Sequence, residues 1–113
     1  MEEILKTDMD FEEKGDYIIE NIGLQAFFEQ MAEECCELGQ ACLKLIRSFG
    51  NGNPTPVSLK DALVNFKEES HDVMLCTLLI MDPSEEQLMK KLDRWVKRVE
   101  EAKKEDERGE QED

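Results

Sequence analysis

The feature that most constrains the fold of this chain is a run of apolar residues whose spacing alternates between four and three. The run comprises Leu24, Phe28, Met31, Cys35, Leu38, Cys42 and Leu45. An α-helix has 3.6 residues per turn, so this spacing places every member of the run on one helical face. The pattern predicts a long helix from about Leu24 to Phe49 that buries this face.

Glycine and proline mark both ends of that helix. A shorter helix is predicted from about Phe11 to Asn21, with Gly23 as its C-terminal breaker. The long helix is predicted to end at residues 50–56, which read Gly-Asn-Gly-Asn-Pro-Thr-Pro. Proline lacks the backbone N–H that a helix needs, and glycine is a poor helix former, so this stretch predicts a loop.

Two further helices follow. Ser58 is a favourable N-cap for the second, with Asp61 three residues later. The apolar residues in its first half share one face; they are Leu59, Leu63, Phe66 and Val73. From Val73 to Met81 apolar residues surround the helix, which predicts that this half is deeply buried. After Asp82 and Pro83, Ser84 is expected to cap a last helix with an inward face of Leu88, Leu92, Trp95 and Val99.

No segment alternates apolar and polar residues as a β-strand does, so the predicted fold is all-α, a helical bundle. The predicted organisation is a weakly ordered N-terminus (1–10), one helical domain (11–100) and a charged, disordered tail (101–113). A chain of 113 residues supports one core. Because so short a chain buries limited surface, a second protomer is expected to complete that core.

The composition restricts the partners. A formal net charge of −14 disfavours DNA and RNA, whose phosphates would be repelled. A nucleotide can still bind if cations stand between its phosphates and the carboxylates. No stretch is apolar over a membrane-spanning length and no signal sequence is evident. Four cysteines without a CxxC pair indicate reduced thiols, so we expect a cytoplasmic protein.

Two acidic pairs lie where a purely solvated helix surface would not require them. Glu34 and Glu37 share one face of the first long helix, and Glu69 and Asp72 share one face of the second. If the two helices pack antiparallel, the pairs can face each other near mid-helix. Four converging carboxylates need cations to remain ionised, and oxygen ligands of this kind select Mg²⁺ or Mn²⁺.

Other interpretations of the same residues stay open. In so acidic a chain such spacings also arise by chance on solvated faces, and an acidic helical dimer could be a non-enzymatic interaction module. Glu68 and His71 have the spacing found in di-iron carboxylate bundles, although the chain has only one histidine. His71 is equally suited to a surface or interface position.

The motif Glu33-Glu34-x-x-Glu37 followed by Glu69-x-x-Asp72 resembles the EExxE…ExxD signature of the MazG-like all-α NTP pyrophosphohydrolases. The likeness covers about Ile22 to Val99 and is closest to the small bacterial or phage type. It includes Gln25 ahead of the first motif and Asp72-Val73 leading into an apolar helix. The segment Lys91 to Arg98 resembles the basic segment that closes many small members.

The resemblance implies an activity and a set of site residues. Glu34, Glu37, Glu69 and Asp72 would bind Mg²⁺, with Glu33 and Glu68 as supporting acids, and a metal-activated water would convert a (d)NTP to the monophosphate and pyrophosphate. The residues that would contact the substrate are Gln25, Lys44, Lys91 and Arg94. A homodimer or homotetramer is expected. Two features depart from the family: His71 replaces a usually small or apolar residue, and the loop between the motif helices is wide.

Overall fold

The computed structural model describes residues 9–50 and 57–112, with side chains up to residue 109. These residues form three helices and no strand: α1 (Phe11–Ser48), α2 (Leu59–Ile80) and α3 (Glu85–Glu112). The predicted all-α class is confirmed. Most of the predicted weakly ordered N-terminus (1–8) and of the predicted loop (51–56) lies outside the described residues.

Helix α1 consists of two segments joined at Gly23. Asp10 caps the first, since its carboxylate accepts a hydrogen bond from the Glu13 N–H at 2.8 Å. Gly23 has φ 86° and ψ 160°, a backbone conformation that only glycine adopts readily. The break predicted at Gly23 is therefore present as a kink inside one continuous helix. The second segment ends at Ser48, with Phe49 as its C-cap.

Serine side chains cap the other two helices as predicted. The Ser58 hydroxyl accepts a hydrogen bond from the Asp61 N–H at 3.2 Å, and the Ser84 hydroxyl accepts one from the Gln87 N–H at 3.2 Å. Each bond satisfies one of the backbone donors that the first turn of a helix leaves without a partner. The chain up to Met81 forms one compact unit, and the chain from Asp82 onward forms a second.

In the first unit α1 and α2 form an antiparallel hairpin: Gly15 lies against Leu79, whereas Glu34, much further along α1, lies near Glu69. The buried apolar residues of the described chain are Phe27, Ala41, Ala62 and Cys76. Along α1 the face that packs on α2 holds the buried or half-buried residues Phe27, Met31, Glu34, Leu38, Ala41 and Leu45. We call this the packing face; Glu34 lies in its middle.

The packing face differs from the predicted one by a rotation of α1. Leu24 and Phe28, expected inside, are 55% and 50% exposed, and Phe27 is buried instead. The predicted deep burial of Val73 to Met81 is also wrong for the single chain, because among the described residues α1 is the helix that packs on this half of α2. Cys76 alone is buried there, whereas Met74 and Met81 are 55% and 52% exposed.

Helix α3 makes up the second unit, described by itself. Its residues up to 109 are all exposed, including Trp95 of the predicted inward face. The helix continues to Glu112, whereas the sequence indicated a disordered tail from residue 101. Glutamate, lysine and alanine are strong helix formers, and Glu100 precedes Lys104 at the favourable i,i+4 spacing, so this highly charged stretch can remain helical.

No helix within the described residues is both long and apolar enough to cross a bilayer.

Candidate metal centre

Three carboxylates from two helices converge in the first unit. Glu34 and Glu37 come from consecutive turns of α1, and Glu69 comes from the face of α2 that meets them. One carboxylate oxygen of each residue lies within 4.8 Å of the corresponding oxygens of the other two. Oxygens this close can share one divalent cation, since Mg²⁺ takes oxygen ligands at about 2.0–2.1 Å.

Two oxygens of this group lack hydrogen-bond partners. Oε2 of Glu34 and Oε2 of Glu69 are each shielded from solvent, and no donor among the described residues reaches either atom. A buried carboxylate oxygen without a donor is costly, because it has lost its hydration and gained nothing in return. A proton, a water molecule or a cation can satisfy such an atom, and a cation can satisfy carboxylates from both helices at once.

The electrostatics of Glu34 support this interpretation. A hydrogen bond from Gln30 lowers its pKa, but burial, the negative charges of Glu37 and Asp72, and hydrogen bonding to Glu37 together raise the pKa above its ordinary value. Glu34 therefore holds its proton more tightly than a free glutamate does. A divalent cation would reverse this preference, because it stabilises the ionised carboxylate.

A buried thiol adjoins the carboxylates. The pKa of Cys76 is raised by burial first, then by the charges of Glu34 and Asp72 and by Cys35. The thiol is therefore protonated at neutral pH and acts as a small apolar residue of the packing between α1 and α2. All four cysteines are free.

The remaining predicted acids lie outside the group of three. Asp72 is exposed, although its charge raises the pKa of Glu34, and Glu33 is exposed on α1. Glu68, His71 and Asp72 line a shallow depression of about 420 Å³ on α2 together with Val64 and Lys67. Glu34, Glu37 and Glu69 are thus the part of the predicted acidic set that the fold brings together.

His71 takes no part in the described carboxylate group. Its Nδ1 lies 2.7 Å from the backbone oxygen of Lys67. Because a carbonyl oxygen can only accept, Nδ1 carries the hydrogen of this bond. Neither His71 nor Glu68 is among the residues that converge, so the fold of one chain gives no support to the di-iron interpretation.

The residues predicted to contact substrate are dispersed. Gln25 is exposed on α1, and its amide donates to Glu29 at 3.3 Å. Lys44 is exposed further along α1. Lys91 and Arg94 belong to the second unit, where they line a groove on α3 beside Trp95. A phosphate contact remains a prediction for each of the three cations.

Comparison of the chain with models of known families, with curated proteins and with solved structures found no match. The likeness to MazG-like proteins therefore depends on the two acidic motifs and the order of the helices around them.

The donor set fits a hard divalent cation. The three converging groups are all carboxylates, with no nitrogen or sulfur ligand in the described cluster. Carboxylate oxygens suit Mg²⁺ and Mn²⁺, whereas Zn²⁺ or copper sites usually include imidazole or thiolate. Glu34, Glu37 and Glu69 would hold such an ion, and the exposure of Glu37 leaves one side open to water and phosphate oxygens.

Sequence reasoning overlooked Gln30. Its side-chain amide donates a hydrogen bond to Oε1 of Glu34 at 2.7 Å, from one turn earlier on α1. The available signal was the i,i+4 spacing between a glutamine and the first motif glutamate, a pair that commonly interacts on a helix.

Proposed function

We propose that this protein is a Mg²⁺-dependent nucleoside-triphosphate pyrophosphohydrolase, converting a (d)NTP and water to the (d)NMP and pyrophosphate. The observation that carries the proposal is the convergence of Glu34, Glu37 and Glu69 from two helices, with two buried oxygens that have no hydrogen-bond partner. The resemblance of the two acidic motifs to the MazG-like signature supplies the reaction type.

Each acidic residue has a distinct place in this proposal. Glu34 and Glu69 present their buried oxygens from opposite helices, and Glu37 contributes from the open side. The motif assigns Asp72 as a fourth ligand and Glu33 and Glu68 as supporting acids. Mg²⁺ or Mn²⁺ bound by this set would neutralise the triphosphate and lower the pKa of an attacking water.

Substrate contacts are assigned to residues around this centre. Lys44, Lys91 and Arg94 are proposed to balance the charge that develops on the departing pyrophosphate. Gln25 is proposed to contact the nucleotide through its amide. The acidic protein would receive the triphosphate together with its cation, which removes most of the repulsion between them.

We further propose that the protein is a homo-oligomer, either a dimer or a tetramer. We expect it to function in a reducing cytoplasm. Four buried apolar residues form a very small core for the described chain, and the second half of α2 exposes a continuous apolar surface. This surface, which we call the α2 apolar face, consists of Met74, Leu75, Leu78 and Met81. A second copy covering it would supply the burial that one hairpin lacks.

The test is pyrophosphate release from a panel of canonical, deoxy and oxidised NTPs, with Mg²⁺, Mn²⁺ or a chelator. Wild type is expected to turn over with either metal and to stop with chelator. Glu37→Gln should lose at least about 100-fold in kcat because it removes one charged ligand. Glu20→Gln, the same change at an exposed site elsewhere on α1, should retain the rate. A Glu37→Gln protein with normal turnover would contradict the assignment.

The exposed apolar surface favours one other candidate, a non-enzymatic helical interaction module. Melting with Mg²⁺ and a non-hydrolysable nucleotide analogue distinguishes the two, since a ligand that binds the native state raises Tm. The pyrophosphohydrolase predicts a rise of several degrees for wild type and a smaller rise for Glu37→Gln. An unchanged Tm, together with no turnover of the panel, would favour the interaction module.

A further inference from the structure

The strongest unassigned polar contact at the carboxylate group is the hydrogen bond from Gln30. Its Nε2 donates to Oε1 of Glu34 at 2.7 Å. The other oxygen of the same carboxylate, Oε2, is shielded from solvent and has no partner among the described residues. The two oxygens of Glu34 therefore have different environments: Oε1 accepts a hydrogen bond from an amide, whereas Oε2 is shielded and accepts none from the described residues.

An i,i+4 pair of glutamine and glutamate can form on any exposed helix surface, and α1 contains a second example. Gln25 donates to Glu29 at 3.3 Å, but Glu29 is exposed and lies outside the carboxylate group. The Gln30 bond is shorter and reaches a half-buried carboxylate of the group itself. The two pairs thus share a geometry but differ in what the accepting carboxylate faces.

The chemistry of the amide suits a positioning role. A neutral amide donates to a carboxylate without adding charge, so it can fix the orientation of Glu34 while leaving the negative charge available to a cation. Partners of this kind orient metal-binding side chains, and their loss typically lowers metal affinity by about 10–100-fold.

We propose that Gln30 is a positioning residue for the metal centre, which holds Glu34 through Oε1 so that Oε2 is presented to the cation. The inference rests on the proposed function only in that Glu34 must bind a divalent ion. It adds a residue that lies outside both acidic motifs.

The experiment measures Mn²⁺ affinity of the full-length protein without nucleotide, by calorimetry and by the electron paramagnetic resonance signal of free Mn²⁺. Gln30→Met keeps the length of the side chain but removes the donor, and is expected to weaken Mn²⁺ binding by about 10-fold. Gln30→Asn keeps a neutral amide donor one turn before Glu34 on a shorter side chain, and it is expected to lose less affinity than Gln30→Met. Gln87→Met makes the same change at an exposed glutamine of α3 and should leave Mn²⁺ affinity unchanged.

The outcomes separate the two proposals. Wild-type binding with equal affinity in Gln30→Met would overturn the role of Gln30 and leave the metal centre intact. Equal losses in Gln30→Met and Gln30→Asn would also overturn it, because an amide donor at this position would then not matter. No binding by wild type would overturn the metal centre itself. Circular dichroism of every variant establishes that the helices are retained.

Discussion

Glu34 occupies a position that an apolar residue would ordinarily take. It lies on the packing face of α1 between Met31 and Leu38, and no donor in the described part of the chain reaches its Oε2. The Gln30 hydrogen bond lowers its pKa, but burial and the charges of Glu37 and Asp72 outweigh that bond, so the pKa is raised. Such an arrangement lowers the stability of the metal-free folded protein. Unsatisfied groups of this kind are typical of functional sites. The proposed metal site would account for an acid at this position.

The raised pKa of Glu34 makes a prediction about pH. A carboxyl group whose pKa is higher in the folded than in the unfolded state lowers stability as pH rises through and above its ordinary range, because folding then opposes ionisation. In metal-free protein, Glu34→Gln should therefore raise Tm relative to wild type by more at pH 7 than at pH 4. Thermal melts at both pH values, in chelator, measure this. A difference independent of pH would contradict it.

At the scale of the helices, the sequence predicted their type but neither their number nor the rotation of α1. The two helices expected on either side of Gly23 form one kinked helix, so the described residues form three helices rather than four. The predicted stripe through Leu24 and Phe28 and the observed packing face through Phe27 and Ala41 have the same alternation of four and three. Periodicity alone cannot choose between two such faces. The prediction favoured the more apolar one, since a glutamate in the middle of a buried face contradicts the usual burial rule.

The carboxylate group could be predicted in part for the same reason. The spacing of Glu34, Glu37 and Glu69 along helices that pack against each other is readable from the sequence. That Asp72 lies outside the group depends on the rotation of α2, and the donor at Gln30 depends on its side-chain rotamer. The rotation is not encoded in a residue pattern, and the i,i+4 spacing of Gln30 and Glu34 allows the hydrogen bond without determining it.

Two glycines of α1 predict opposite effects of the same substitution. Gly23 has positive φ, so Gly23→Ala forces a side chain into a conformation that costs about 1–3 kcal/mol. Gly39 lies within the helix, and a Cβ there would meet no described atom within 4 Å. Gly39→Ala should therefore stabilise the protein by about 0.5–1 kcal/mol. Urea unfolding of both variants measures the change in the free energy of unfolding relative to wild type. A change of the same sign in both variants would contradict the positive φ at Gly23.

At the scale of the whole molecule, each of the two units leaves apolar surface uncovered. The α2 apolar face belongs to the first unit, and the exposed Leu88, Leu92 and Trp95 belong to the second. An apolar surface of this kind on a small chain is usually an interface. Because single-sequence patterns show which faces are apolar but not what covers them, the partner could not be read from the residues.

The proposed homo-oligomer predicts a defined response to one added charge. Leu75 is 47% exposed on the α2 apolar face, and burying a glutamate there against a second copy would be unfavourable. Sedimentation analysis should find wild type as a dimer or tetramer and Leu75→Glu shifted toward monomer. Gln40→Glu adds the same charge at an exposed polar site on α1 and should assemble normally. A monomeric wild type at all accessible concentrations would contradict the proposal.

The proposed function requires that the acids that converge from α1 and α2 support metal-dependent cleavage between the α- and β-phosphates of a nucleotide. The most direct measurement follows the products of a hydrolysed NTP by phosphorus NMR, with Mg²⁺ and with chelator, for wild type and Glu69→Gln. Wild type with Mg²⁺ should give nucleoside monophosphate and pyrophosphate, whereas Glu69→Gln, or wild type in chelator, should give neither product. Release of nucleoside diphosphate and phosphate, or equal turnover in chelator, would contradict it.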